Sequence, residues 1–147
     1  MLDRLVEILH SETCSLVAEN HGVVRTFCKK GVRDLMYLLD NEPEFLDGAS
    51  IADKVIGKAA AGIAVSGGVR RIHADVMSRR SLPILDSAGI EYSFDTLVDR
   101  IVIPEGDSRC PLEEIVGPAE TAAEVVSMLR AHFEEVQRKN MENNTNQ

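Results

Sequence analysis

A chain of 147 residues and 16.2 kDa suits a single domain that can bury a core without help from disulfides or metals. Hydrophobic residues make up 44% and charged residues 27%, the balance of an ordinary water-soluble protein. Sixteen Lys+Arg against 24 Asp+Glu give a net charge of −8, and Trp is absent, so neither a phosphate-neutralising surface nor a base-stacking platform is expected, and no nucleic-acid partner.

The opening residues Met1-Leu2-Asp3-Arg4 alternate apolar and charged side chains and lack a signal-peptide core. Leu2, Leu5, Val6 and Leu9 recur at helical spacing and predict a short amphipathic helix. Ser15–Glu19 and Val23–Lys29 read as two strands joined by the three-residue loop Asn20-His21-Gly22, a hairpin signal. A helix from Val32 to Leu39 follows, closed by Asn41-Glu42-Pro43, and Phe45–Ala49 reads as a loop. Ser50-Ile51-Ala52-Asp53 has the form of a capping box, opening a helix from Lys54 to Val65 that is full of Gly and Ala. Ser66-Gly67-Gly68 ends it.

Val69–Met77 reads as a strand, with Ile72, Ala74 and Val76 on one face and Arg71, His73 and Asp75 on the other. A helix over Arg79–Ala88, closed by Gly89, then leads to the strand Ile90–Phe94. Strand, helix and strand make a βαβ unit, so these two strands should run parallel. Asp95 is read as capping a turn through Ile101, and Pro111–Val116 as a short helix. Pro118 is placed at the first position of a last helix, with Ala122, Val125, Val126, Leu129, Phe133 and Val136 as its apolar stripe. The whole describes one α/β domain over residues 1–137, a three-layer α/β/α sandwich around a mixed sheet, followed by a polar, flexible tail over 138–147.

Cys14, Cys28 and Cys110 are an odd number at wide spacing, with no C-x-x-C pair, so neither a disulfide framework nor a cysteine zinc site is expected. The longest apolar stretch, Ala59–Val65, is far short of the ~20 residues that cross a bilayer, so no membrane association is expected and the compartment is read as cytoplasmic.

Chemistry concentrates in three places. Lys54 and Lys58, one turn apart at a predicted helix start with Asp53 and Gly57, suit an anionic ligand; solvated lysines beside a simple Asp53 cap are the competing reading. Cys110, before Pro111 and three residues ahead of Glu113, would be an N-cap thiol open to activation, or a merely structural cysteine. Ser78-Arg79-Arg80-Ser81 starts a helix at the carboxyl end of a strand, where α/β sheets gather ligands. His73 reads as a paired structural histidine, and His10-Ser11-Glu12 matches half of the zinc-deaminase signature without its P-C-x-x-C partner.

Asp53-Lys54-x-x-Gly57-Lys58-Ala59-Ala60-Ala61, Gly67-Gly68-Val69, Ala88-Gly89-Ile90 and Cys110-Pro111-x-Glu113 resemble a small family of uncharacterised prokaryotic proteins that carry a domain of unknown function. The resemblance implies a cytidine-deaminase-like fold and dimers or larger homo-oligomers. The two helix starts that would hold the deaminase metal are Ala52-Asp53 and Ser78–Ser81, which offer no Cys or His, so no metal or other cofactor is expected. The leading expectation is a module that binds a nucleotide-like or other anionic small molecule through Asp53, Lys54, Gly57, Lys58, Ser78, Arg79, Cys110 and Glu113. The alternatives are an enzyme using Cys110 or Asp53 as nucleophile or acid/base, and a partner-binding module without a ligand. Asp53 and Cys110 are further expected to share one pocket, with Lys54 at its edge.

Overall fold

A computed structural model of the chain describes residues 2–28, 32–102 and 111–145. Helix α1 (Leu2–Ser11) buries Leu5 and Leu9. Strands β1 (Leu16–Asn20) and β2 (Val23–Phe27) pair with Asn20 opposite Val23, so the hairpin loop is two residues rather than three. His21 and Gly22 both have positive φ, 52° and 80°, which is what the right-handed twist of a two-residue hairpin demands. Helices α2 (Arg33–Asn41) and α3 (Pro43–Leu46) lead to strand β3 (Ser50–Ile56) and helix α4 (Lys58–Gly67). Strand β4 (Arg71–Ser78), a 3₁₀ turn (Arg79–Ser81), helix α5 (Leu82–Ala88) and strand β5 (Glu91–Val98) follow, and helices α6 (Leu112–Ile115) and α7 (Ala122–Thr145) complete the order.

The five strands form one mixed sheet in the order β2-β1-β3-β4-β5. β1 is antiparallel to both β2 and β3, while β3, β4 and β5 are parallel. The expected parallel pair is therefore present, and a second βαβ unit, β3-α4-β4, stands before it. Alternation along the strands divides the core. Leu16, Ala18, Ile51, Ile72 and Ala74 join a large cluster with α2, α4, α5 and α7. The intervening Val17 and Ala52 pack instead with Leu5 and Leu9 of α1 and with Cys14. In β4 the alternation shifts after Asp75, so that Met77 rather than Val76 is fully buried.

Several expectations are corrected. Residues 50–56 are a strand, not a capping box and first helical turn. Hydrogen-bond partners on both sides, β1 and β4, together with the β-branched Ile51, Val55 and Ile56, outweigh a local cap. The Gly/Ala-rich helix consequently starts at Lys58, and Lys54 and Lys58 do not share a helical face. Phe45 and Leu46 end a short helix rather than a loop. Asp95 lies within β5, which runs on to Val98. The last helix starts at Ala122, not at Pro118: the Thr121 hydroxyl accepts from Glu124 N at 3.1 Å, and the Glu124 carboxylate accepts from Glu120 N at 3.1 Å, so the cap is Thr121. α7 continues to Thr145, so residues 138–145 of the polar tail are helical. Among the described residues no helix is long and apolar enough to cross a membrane.

Candidate functional site

Where the ends of β1 and β3 meet the start of α4, a cavity of about 790 Å³ opens, lined by Cys14, Asp53, Lys54, Gly57, Glu113 and Phe133 among others. Arg33 and Arg100 also reach it. Asp53 comes to it from the middle of β3, paired with Leu16 on one side and Ala74 on the other. Its carboxylate is buried and accepts from Val55 N at 3.2 Å. Burial pushes the Asp53 carboxyl up from 3.8 to about 7, reinforced by the negative charges of Asp75 and Asp34 and only partly offset by backbone N–H donors from Val55 and Lys54. Asp53 is therefore a buried acid poised near neutrality, and not the helix cap expected of it.

That capping role belongs to Glu113 on α6, 55 residues beyond Lys58. Its Oε2 accepts from Lys58 N at 2.9 Å, and its Oε1 accepts from Ser78 Oγ at 3.0 Å and from Ile101 N at 2.7 Å. One buried carboxylate thus ties together the start of α4, the end of β4 and the segment after β5. A negative group at a helix N-terminus satisfies a free N–H and opposes the helix dipole favourably. Gly57 is the N-cap residue of α4 and leaves room for that carboxylate. A Cβ there would lie 2.7 Å from Glu113 Oε2 and 3.1 Å from Ile101 Cγ1.

Of the residues expected at the site, Asp53, Lys54, Gly57 and Glu113 line the cavity, and Lys58 and Ser78 are joined to it through Glu113. The Lys58 ammonium points elsewhere, donating to Gly117 O at 2.8 Å. Arg79 is not part of the cavity lining; it forms an exposed ion pair with Asp99 at 3.0 Å. Cys110 lies outside the described residues, and so does its expected closeness to Asp53, although the neighbouring Pro111 lines the cavity.

Cys14 and Cys28 also line the cavity and were not expected there. Both are free thiols. Burial first, then the Glu12 charge, pushes the Cys14 thiol up, which leaves it a poor nucleophile. The hairpin register carries the missed signal. With Leu16 opposite Phe27, Cys14 and Cys28 both fall just beyond the open end of the ladder.

A family model described as TM1506, domain of unknown function (DUF1893), matches residues 4–133. Among solved structures, the crystal structure of a DUF1893 family protein (TM1506) from Thermotoga maritima superposes with a TM-score of 0.77 at 24% sequence identity, covering 89% of this chain and 88% of that one. No curated protein matches.

Proposed function

Because the chain belongs to the DUF1893 family of domains of unknown function, whose name carries no activity, we propose from the cavity itself that the protein binds a nucleotide-like or other anionic small molecule. The observation that carries the reading is the placement of the buried Asp53 carboxyl in a cavity also lined by Lys54, Arg33 and Arg100. Three cations lining one cavity suit phosphate or carboxylate oxygens. Phe133 and Val32 offer apolar surface, and Asp53 can accept from, or when protonated donate to, a ring nitrogen or amide. The volume falls in the range of small-molecule sites. The start of α4 contributes less than expected, since Glu113 already occupies Lys58 N.

The scaffold proposed is the three-layer, cytidine-deaminase-like sandwich. Its support is a sheet order with one antiparallel hairpin beside three parallel strands, and apolar clusters on both sheet faces. Zinc chemistry does not fit it. Between the starts of α4 and of the Arg79–Ser81 turn stands Glu113, its two oxygens already taken by three donors, with the Ser78 hydroxyl committed to it. Neither start holds a Cys or His among the described residues, whereas hydrolytic zinc needs three protein ligands, of which imidazole or thiolate supplies at least two, and an open position.

The test is a thermal-shift screen of nucleoside mono-, di- and triphosphates, with inorganic phosphate alongside. A ligand at about 100 times its Kd adds roughly 2.7 kcal/mol to stability, a rise of several degrees in Tm. Loss of that rise in Lys54→Ala is expected. A screen without any shift, or a shift unchanged in Lys54→Ala, overturns the reading in favour of a module without a ligand. The raised Asp53 specifically favours a second reading, an enzyme with Asp53 as general acid or base. Turnover of a bound ligand that disappears in Asp53→Asn would support it. For Cys110 as nucleophile, alkylation with an apparent thiol pKa near ~8.5 counts against the role. Self-association into homo-oligomers is proposed with the scaffold, and light scattering checks it.

A further inference from the structure

On the sheet face covered by α1, two histidines and two aspartates from three elements converge. His10 stands near the end of α1, His73 and Asp75 on β4, and Asp95 on β5. The parallel register sets His73 opposite Ser93, so the alternating positions 75 and 95 fall side by side on the same face. His10 Nε2 lies 2.8 Å and 3.0 Å from the two Asp75 oxygens. The ligand atoms of His10, Asp75 and Asp95 all lie within 4.8 Å of one another. None of the four lines the cavity described above.

His73 is the informative member. It is only 8% exposed, and its Nε2 is buried with no hydrogen-bond partner. That nitrogen nevertheless points between two carboxylates, 3.8 Å from Asp75 Oδ1 and 3.7 Å from Asp95 Oδ2. Those gaps are too long for hydrogen bonds. They are close to the ~3.4 Å that separates two ligands on one tetrahedral ion with bonds of about 2.0–2.2 Å. The other ring nitrogen, Nδ1, is engaged by Ser93 Oγ at 2.8 Å. The Ser93 hydroxyl can either donate to or accept from Nδ1; in the accepting arrangement Nε2 presents its lone pair to the carboxylates, as second-shell partners impose on metal-ligating histidines.

We propose that His10, Asp75 and Asp95, with His73 moving in from beside the two carboxylates as the fourth ligand, form a site for one divalent transition-metal ion, zinc by ligand type. Two imidazoles and two carboxylates match its nitrogen/oxygen preference, and the two negative charges balance a dication. His73 is the buried anchor. The Asp95 side chain, 60% exposed, and the half-exposed His10 leave a route in from solvent. Binding would join α1 to β4 and β5, so the site is a structural staple of the first helix onto the sheet.

The experiment uses the full chain, stripped with a chelator and titrated with Zn²⁺ by calorimetry and with Co²⁺ by absorption. Expected are one ion per chain, a rise of several degrees in Tm with zinc, and a tetrahedral cobalt spectrum without thiolate charge-transfer bands. His10→Ala and Asp95→Asn, both at exposed positions that the fold does not need, should each weaken binding at least tenfold and abolish the Tm rise. His73→Gln should weaken it further. Cys28→Ser and Cys110→Ser should bind as the unaltered chain does. A chain that takes up no zinc below millimolar concentration leaves the four groups as an electrostatic cluster and overturns the proposal. Affinities in His10→Ala and Asp95→Asn within twofold of the unaltered chain, or binding lost with the cysteines instead, overturn it equally.

Discussion

At the scale of single residues, Asp53 and Glu113 show how differently two buried carboxylates can behave. Glu113 meets three donors, whereas Asp53 is held mainly against its own desolvation. Folded Asp53 titrates at about 7 against an ordinary 3.8, so between those values the folded state holds a proton that the unfolded chain has released. Stability from this group is therefore greatest below about pH 4, falls as pH rises to about 7, and is flat above, with a total span on the order of 4 kcal/mol. Asp53→Asn keeps the shape and removes the ionisation. Urea denaturation should find it more stable than the unaltered chain at pH 8 and close to it at pH 4; parallel pH profiles would refute the assignment. Glu113→Ala acts oppositely, stranding Lys58 N, Ser78 Oγ and Ile101 N. A loss of about 2–4 kcal/mol is expected at neutral pH, and a change below 0.5 kcal/mol would mean that water replaces the carboxylate freely.

Elements are decided by contacts between segments as much as by their own residues. Ser50-Ile51-Ala52-Asp53 has the form of a capping box yet lies in a strand, whereas Thr121 and Glu124, which the sequence reading does not single out, cap α7. The difference lies in the neighbours. Residues 50–56 have strands on both sides to pair with, and Thr121 has none. The Gly/Ala-rich character of α4 does mark burial, and its reason is the crossing with α7. A Cβ on Gly62 would run into the Val125 side chain. Gly62→Leu should consequently destabilise by about 1–3 kcal/mol or more through overpacking, despite a helix propensity better than that of glycine by up to about 1 kcal/mol. A thermal melt checks it, and an unchanged Tm would show that α7 can shift aside at no cost.

For the whole molecule, sheet order predicts where the structure opens first. β3 and β4 are paired on both edges and well buried, while β2 and β5 are the outer strands and hold no fully buried residue. Hydrogen exchange should find β3 and β4 amides opening only with global unfolding, and those of β2 and β5 exchanging by local opening at lower free energy. Equal protection in β4 and β5 would contradict this.

Much of the architecture is legible along the chain because it rests on local periodicity: the amphipathic α1, the hairpin, the Val69–Phe94 βαβ unit and its parallel sense. The involvement of Asp53, Lys54, Gly57 and Glu113 in one cavity was also accessible, since each stands out as an unusual residue in its segment. Their roles were not. A carboxylate 55 residues away capping α4, a strand in place of a helix at 50–56, the pairing of His73 with Ser93 and the approach of His10 all depend on strand register and on which face each element buries. Sequence by itself determines which residues prefer burial, and with what period. Only the tertiary structure decides which distant donor meets which acceptor, because a buried polar group takes whatever partner the packed chain brings within about 3 Å.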